Sequence, residues 1–341
     1  MTSAVPSIPI GKEGARLPLI GLGTWLSLDE GELRAALKVA LDAGYRLIDT
    51  AALYGNELVI GDVLHEYFKS GKLTREEVFV TTKLPYSCME PKAAEESIKK
   101  QLATLCFDYV DLFILHHPCA MQHNEQVSKR RSVYYLQLTG AAEFTHQNEI
   151  DYLDTWKVLE KYCKSGQLKA IGLSNFNAKQ VARVCANAEI KPSDLQVELH
   201  IYWPQHELQQ FCSKQGMTLT SFASLGSPGR LAFRPDDVWP IGDPMQDEVV
   251  VKLAEKYGKT PAQILLRHLV QRGVCVIPKS TNPARILQNI DIFDFEISAE
   301  DQQKLLDVKS RVRLFEMRVC GGHAHYPFED VDLTKKGDSE D

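Results

Sequence analysis

Short, almost continuously apolar runs alternate with amphipathic stretches along this chain, and that alternation limits its fold more than any other feature. Eight runs read as strands: 17–23, 46–50, 78–84, 109–116, 168–174, 195–200, 217–224 and 274–280. They are apolar on both faces rather than on alternate residues, the pattern of parallel strands covered on both sides. Helical stretches lie between them at 29–44, 56–71, 90–106, 149–166, 177–188, 203–216, 243–258 and 282–290. Several open on acidic residues or a first-turn proline and close on glycine, as at Gly44, Gly71 and Gly166. Eight such units predict an α/β fold, a (β/α)8 or TIM barrel with long loops at the C-terminal face of its strands. A doubly wound open sheet is the alternative. It ranks second because no strand runs into a G-x-G-x-x-G turn; Gly21-Leu22-Gly23 lacks the third glycine.

The 341 residues suit one large barrel, read as a single domain over 1–341. A net charge of −6, with both signs mixed along the chain, excludes a basic stripe that would track phosphates, so no nucleic-acid partner is expected. No apolar run reaches membrane-spanning length, and the N-terminal stretch lacks a signal-peptide pattern. The eight cysteines form no C-x-x-C pair and no zinc-like spacing. They read as reduced, mostly buried residues of a cytoplasmic protein, Cys106, Cys163, Cys185 and Cys275 among them. Residues 118–150 form an extended loop after the fourth strand and 226–244 another after the seventh; the tail from 308 to 341 has no periodicity. Such loops either cap a site on the active face or, for the charged middle of 118–150, are disordered insertions. The first dozen residues are expected to form a hairpin at the other end of the barrel.

Polar residues interrupt the strands at their carboxyl ends. Asp49 ends the second strand, Lys83 the third and His116 the fourth; Ser174 and Asn175 follow the fifth, and Gln196 and His200 lie near the end of the sixth. An isolated buried charge costs several kcal/mol, so Asp49 and Lys83 should pair. They form either a structural ion pair or part of a site at the barrel mouth, where convergent titratable groups favour the site. Tyr54, just past Asp49, fits that site. A nearby ammonium favours phenolate, so Lys83 should lower the pKa of Tyr54 and ease its proton donation. The arrangement suits protonation of an oxygen that is gaining negative charge, as in a carbonyl receiving hydride.

The blocks GYRLIDTAALYGNE, FVTTKL, DLFILHHP, KAIGLSNFN and VIPKSTNPARILQN occur in order over roughly residues 8 to 328. In these the chain resembles the aldo-keto reductases, of the aldose and aldehyde reductase kind. The resemblance implies a metal-free (β/α)8 barrel, a monomer, that uses NADPH/NADP+ to reduce aldehydes and ketones to alcohols. Its catalytic residues map onto Asp49, Tyr54, Lys83 and His116. Tyr54 donates the proton, Lys83 paired with Asp49 tunes it, and His116 orients the carbonyl.

The resemblance also implies cofactor contacts. Ser174, Asn175 and Gln196 would hold the nicotinamide carboxamide, with Phe222 stacking on the ring where tyrosine is commoner, and Thr24 is a further cofactor-binding candidate. Ala223-Ser224-Leu225-Gly226 departs from the family's usual S-P-L-G, leaving Leu225 and Ser227 as pyrophosphate-loop candidates. Lys279, Ser280 and Arg285 would hold the adenosine 2′-phosphate, and Gln288 and Asn289 would face the adenine. Without the resemblance, 278–289 could equally be a strand end, a turn and a helix start with solvated cations. Trp25, Tyr86, His117 and Cys320 are the substrate-pocket candidates, with Leu53 and the tail nearby. Rim packing is the alternative for Trp25, and an inert thiol is the default for Cys320. His323 and His325 lack an acidic partner and make a weak metal set. The competing functions are an NADP(H)-binding regulatory or structural barrel with little turnover, and a metal-dependent hydrolase; the partner expected is a small carbonyl substrate.

Overall fold

The computed structural model describes residues 5–11, 14–123, 144–233 and 240–334. Its centre is an eight-stranded parallel sheet of β3 (Leu22–Gly23), β4 (Leu47–Asp49), β5 (Phe79–Leu84), β6 (Val110–Leu115), β9 (Leu168–Ser174), β10 (Asp194–Glu198), β11 (Thr218–Phe222) and β12 (Cys275–Val276), hydrogen-bonded in that order. Parallel bridges from Ile20 to Val276 and from Gly23 to Lys279 join its first and last strands and close the barrel. Gly23 is needed at that seam, where an added Cβ would lie 2.5 Å from the Ile277 carbonyl oxygen. All eight predicted strands are present, most of them trimmed at the ends.

The strands are buried on both faces, which is why their sequences do not alternate. Inside, Leu47, Phe79, Leu112, Ile114 and Cys275 fill the barrel. Outside, residues such as Ile48, Val80, Phe113 and Ile171 meet the surrounding helices. A fully buried Phe113 alone contributes roughly 2–3 kcal/mol of transfer free energy. The helices are α1 (Glu30–Asp42), α2 (Glu57–Lys69), α3 (Pro91–Leu105), α4 (Tyr152–Lys164), α5 (Ala178–Asn187), α6 (His206–Lys214), α7 (Arg230–Phe233), α8 (Glu248–Tyr257), α9 (Pro261–Gln271), α10 (Pro283–Ile290) and α11 (Ala299–Leu306). Local chemistry sets their ends. Asp29 accepts a hydrogen bond from the Glu32 backbone N–H to start α1, and Glu90 does the same for Ala93 beside Pro91 of α3. Gly258, in the left-handed region, closes α8.

Beyond the single-turn α7, which falls in the connection expected as loop, two helices were not anticipated. The stretch between the seventh and eighth strands holds α8 and then α9, not one helix, and α11 follows α10. Each carries a start signal. Thr260 and Gln263 form a capping box for α9, and the Ser298 side chain accepts from the Asp301 N–H at α11.

The hairpin at the chain start spans β1 (Ser7–Pro9) and β2 (Arg16–Pro18), antiparallel and slightly beyond the first dozen residues. Ile10 and Leu17 pack with Leu47 and Phe79, the first residues of their strands, so the hairpin stoppers the amino end of the barrel. After β6, β7 (Met121–His123) pairs antiparallel with β8 (Phe144–His146), so the segment expected as loop begins and ends in a ribbon. Its charged middle lies outside the described residues, as do 234–239 of the second long connection. Cys106 is an exception to the expected thiol burial: it caps α3 in the left-handed region and is exposed. Among the described residues no helix is long and apolar enough to cross a membrane.

Candidate active site

β4 and β5 are neighbours, with Asp49 opposite Thr81, so Lys83 lies two residues further along the adjacent strand. Lys83 Nζ donates to Asp49 Oδ1 at 2.6 Å and to the Thr50 carbonyl at 2.8 Å. Its remaining donor capacity points toward the Tyr54 hydroxyl, 3.4 Å away. Gln196 Nε2 donates to the second oxygen, Asp49 Oδ2, at 2.8 Å. Both charges are thus out of water, and each has its hydrogen bonds made, the condition for a buried pair to persist.

Tyr54 reaches this pair because the chain turns sharply after β4. A 3-10 turn over Ala52–Tyr54 ends at Gly55, whose φ of 69° suits glycine. The loop is tied down by Asn56, whose Nδ2 donates to the Thr24 carbonyl at 2.9 Å and whose Oδ1 accepts from Thr50 Oγ1 at 3.0 Å. Thr24 Oγ1 donates to the Asp49 carbonyl at 2.9 Å. On the other side, Asn175 has φ 61°, with its N–H donating to the Gln196 carbonyl at 3.1 Å and its Nδ2 to the His116 carbonyl at 3.0 Å. The His116 and Tyr54 rings meet edge to face, 5.9 Å between centres.

The electrostatics differ from the expectation in one respect. The Tyr54 phenol is pushed up, not down, first by desolvation and then by the Asp49 charge. The cation expected to lower it is already committed to Asp49, whose field opposes it at the phenol. Burial also lowers Lys83, against the pull of Asp49. His116 falls well below the ordinary histidine range through burial, then the Lys83 charge and His117. It is neutral at physiological pH, and its buried Nδ1 has no hydrogen-bond partner among the described residues.

Above these groups opens a cavity of about 1280 Å³. Asp49, Tyr54 and His116 lie in its lining, with Lys83 directly behind them. Thr24, Ser174, Asn175, Gln196, Phe222, Leu225 and Ser227 line it as well. So do Lys279, Ser280, Arg285, Gln288 and Asn289 toward α10, and Trp25, Tyr86, His117 and Cys320 on the wall. Lys279 and Arg285 are exposed at the lip, and neither forms an ion pair among the described residues. Partial enclosure pulls the Lys279 ammonium down, a shift that an arriving anion would oppose.

The family profile described as Aldo/keto reductase family matches residues 19–309. The chain belongs to the aldo/keto reductase family. It is similar to aldo-keto reductase family 1 member A1 of Gallus gallus, 41% identical over 327 residues that cover 93% of this chain and 96% of the relative. The Homo sapiens member A1 is 42% identical over the same coverage. A solved aldose reductase structure from Schistosoma japonicum superposes with a TM-score of 0.82 at 33% identity, covering 95% of this chain and 99% of that one. Membership in this aldo/keto reductase family supports carbonyl reduction as the chemistry, with an oxidoreductase as the class of enzyme.

Two site residues of this reductase escape a sequence reading. Glu198, at the end of β10, accepts from the Leu314 N–H at 2.5 Å and from the Phe315 N–H at 2.9 Å, and so anchors the tail over the cavity. Its other contact is His200 Nε2 at 2.9 Å; His200 is buried and outside the cavity lining. A carboxylate at a strand's end was the available signal for Glu198. Phe315 packs edge-on against both Trp25, at 5.7 Å, and Phe222, at 5.6 Å; nothing in the tail sequence marks it.

Proposed function

We propose that the protein is an NADPH-dependent reductase that turns aldehydes and ketones into alcohols, with Tyr54 as the proton donor. One observation carries the reading: a phenol at the cavity floor stands 3.4 Å from an ammonium that a buried carboxylate fixes in place. The cavity and its donors suit the cofactor. Its size exceeds that of a typical single-ligand pocket, and two cations that form no ion pair among the described residues stand at its lip. Lys279 and Arg285, with Ser280, would hold the 2′-phosphate through charge-assisted hydrogen bonds. Gln288 and Asn289 would border the adenine, Leu225 and Ser227 the pyrophosphate. Asn175 and Gln196 have given their amide N–H groups to His116 and Asp49, which leaves their side-chain oxygens to accept from the nicotinamide carboxamide, beside Ser174. Phe222 would offer a ring face to the nicotinamide. When bound, the cofactor supplies hydride to the carbonyl carbon.

The residues then handle the oxygen. Neutral His116 fixes the carbonyl by a hydrogen bond without competing as an acid. Tyr54, with its raised pKa, keeps its proton until an alkoxide develops. An alkoxide is a much stronger base than a phenolate, so the transfer runs downhill even from this phenol. Lys83 meets the phenolate that forms, and Asp49 holds Lys83 at that post. Tyr54→Phe removes the transferred proton and little else. Its NADPH-dependent reduction of a test aldehyde should fall by about 10²–10⁴-fold, while NADPH affinity, read by fluorescence quenching, stays close to that of the unaltered protein. Undiminished turnover in this variant would refute the assignment.

A further inference from the structure

Donors from two distant parts of the chain meet behind the cavity wall. One atom each from His117, Cys119 and Cys320 lie within 4.8 Å of one another, and all three residues are buried. The Cys320 thiol points at Met121 Sδ, 3.8 Å away. His117 Nδ1 accepts from the Cys119 backbone N–H at 3.3 Å, which orients the ring; its buried Nε2 has no oxygen or nitrogen partner among the described residues, and the ring meets the Cys320 thiol instead. A buried imidazole nitrogen whose neighbours are thiols calls for an account, since buried polar atoms are normally satisfied by stronger partners. The loop after β6 presents His117 and Cys119, Met121 opens β7, and the 3-10 turn Arg318–Cys320 presents the fourth group. That turn is held by His146 Nε2 against the Val319 carbonyl at 3.0 Å.

We propose that His117, Cys119 and Cys320, with Met121 as a weaker fourth donor, bind one thiophilic d10 metal ion, Cu(I) being the best fit. The donor set decides the class. Thiolate, thioether and imidazole suit soft ions and give a hard cation nothing to hold, whereas zinc sites draw on Cys, His and carboxylate and rarely on thioether. The spacing agrees: bonds of about 2.0 Å to nitrogen and about 2.3 Å to sulfur place ligand atoms roughly 3.5–4 Å apart, a short contraction of the present cluster. The two thiols already interact. Burial pushes Cys119 up, and its hydrogen bond holds Cys320 down. Binding the ion releases the thiol protons to solvent. Spacing along the sequence could not reveal this set, because Cys119 and Cys320 belong to different ends of the chain.

His117 and Cys320 also line the cavity, whereas Cys119 and Met121 do not. An ion at the cluster therefore pins the wall beside His116 and should inhibit carbonyl reduction. That consequence rests on the reductase reading; the binding does not. The test is titration of the reduced, oxygen-free full chain with Cu(I) held by a coloured competing chelator. The unaltered protein should draw one Cu(I) from the chelator, and Cys119→Ala and Cys119→Ser should each bind at least roughly tenfold more weakly. Cys106→Ser, at an exposed thiol, should bind as the unaltered protein does. Equal affinity in the Cys119 variants, or loss in Cys106→Ser, would overturn the site. Zn(II) displacing Cu(I) at equal free concentration would overturn the choice of ion. In turnover, Cys119→Ala should keep its basal rate and escape Cu(I) inhibition. A chain that binds Cu(I) at Cys119 without inhibition refutes the inhibitory role alone, and one that binds it but never reduces a carbonyl refutes the reductase reading alone.

Discussion

At the scale of single residues, the site depends on groups whose partners are already spent. The Lys83 ammonium is shared among a carboxylate, a carbonyl and a phenol, and Gln196 gives its amide to Asp49. Lys279 and Arg285 are the opposite case: cations at the lip that form no ion pair among the described residues. A charge-assisted hydrogen bond is worth about 1.5–3 kcal/mol, so Lys279→Ala or Arg285→Ala should weaken NADPH about 10–100-fold and NADH far less, as read by equilibrium binding of the two cofactors. Equal weakening of both would remove the 2′-phosphate from those side chains. Glu198 works at one remove. It touches neither cavity floor nor lip but fixes the Leu314 and Phe315 backbone, and through it the aromatic wall. Glu198→Gln keeps one acceptor and loses the charge. Its KM for an aromatic aldehyde should rise several-fold, about 1 kcal/mol, with kcat little altered. A fall in kcat at constant KM would place Glu198 in the chemistry instead.

At the scale of elements, the start signals of the helices have measurable worth. Thr260 Oγ1 accepts from the Gln263 N–H at 3.2 Å, and Gln263 returns the contact to the Thr260 N–H at 3.0 Å. Thr260→Ala should cost about 1 kcal/mol, read as a lower denaturant midpoint with an unchanged slope. That capping box was present in the sequence, yet α9 was passed over because one helix per strand already satisfied the barrel pattern. The strands were legible because burial on both faces leaves a near-continuous apolar run. Asp49, Lys83 and His116 were legible for the complementary reason, since a charge or imidazole interrupting such a run stands out. Phe315 and Cys119 had no such background, and Cys320 was singled out only as a pocket candidate through the family resemblance. Their meaning comes from where an aperiodic tail folds back, which local propensity does not encode. The direction of the Tyr54 shift was misjudged because it depends on how completely Asp49 engages Lys83, a matter of ångströms rather than of residue order.

At the scale of the whole molecule, the barrel confines more carboxylates than cations around Lys83. Burial pushes Asp194 from 3.8 up to about 7 and Glu57 from 4.5 up to about 7. Asp194 accepts from Thr218 Oγ1 at 2.6 Å and Thr220 Oγ1 at 3.0 Å, while its buried Oδ2 has no partner among the described residues. Between those limits the folded chain keeps protons that the unfolded chain has released. These two groups therefore subtract stability as pH rises from about 4 to about 7, and the loss is complete above that window. A carboxyl moved that far is worth roughly 4 kcal/mol across it. Asp194→Asn should flatten the decline in unfolding free energy over this range relative to the unaltered protein, measured by denaturant titration at a series of pH values. Parallel curves would mean that Asp194 ionises freely in the fold.

The hairpin of β1 and β2 seats Ile10 and Leu17 among the side chains at the strand starts. With its base stoppered and its interior filled by side chains, the barrel leaves only its opposite rim for chemistry, the end where Asp49, Tyr54 and His116 stand. On the proposed reading, cofactor and carbonyl would share that one rim.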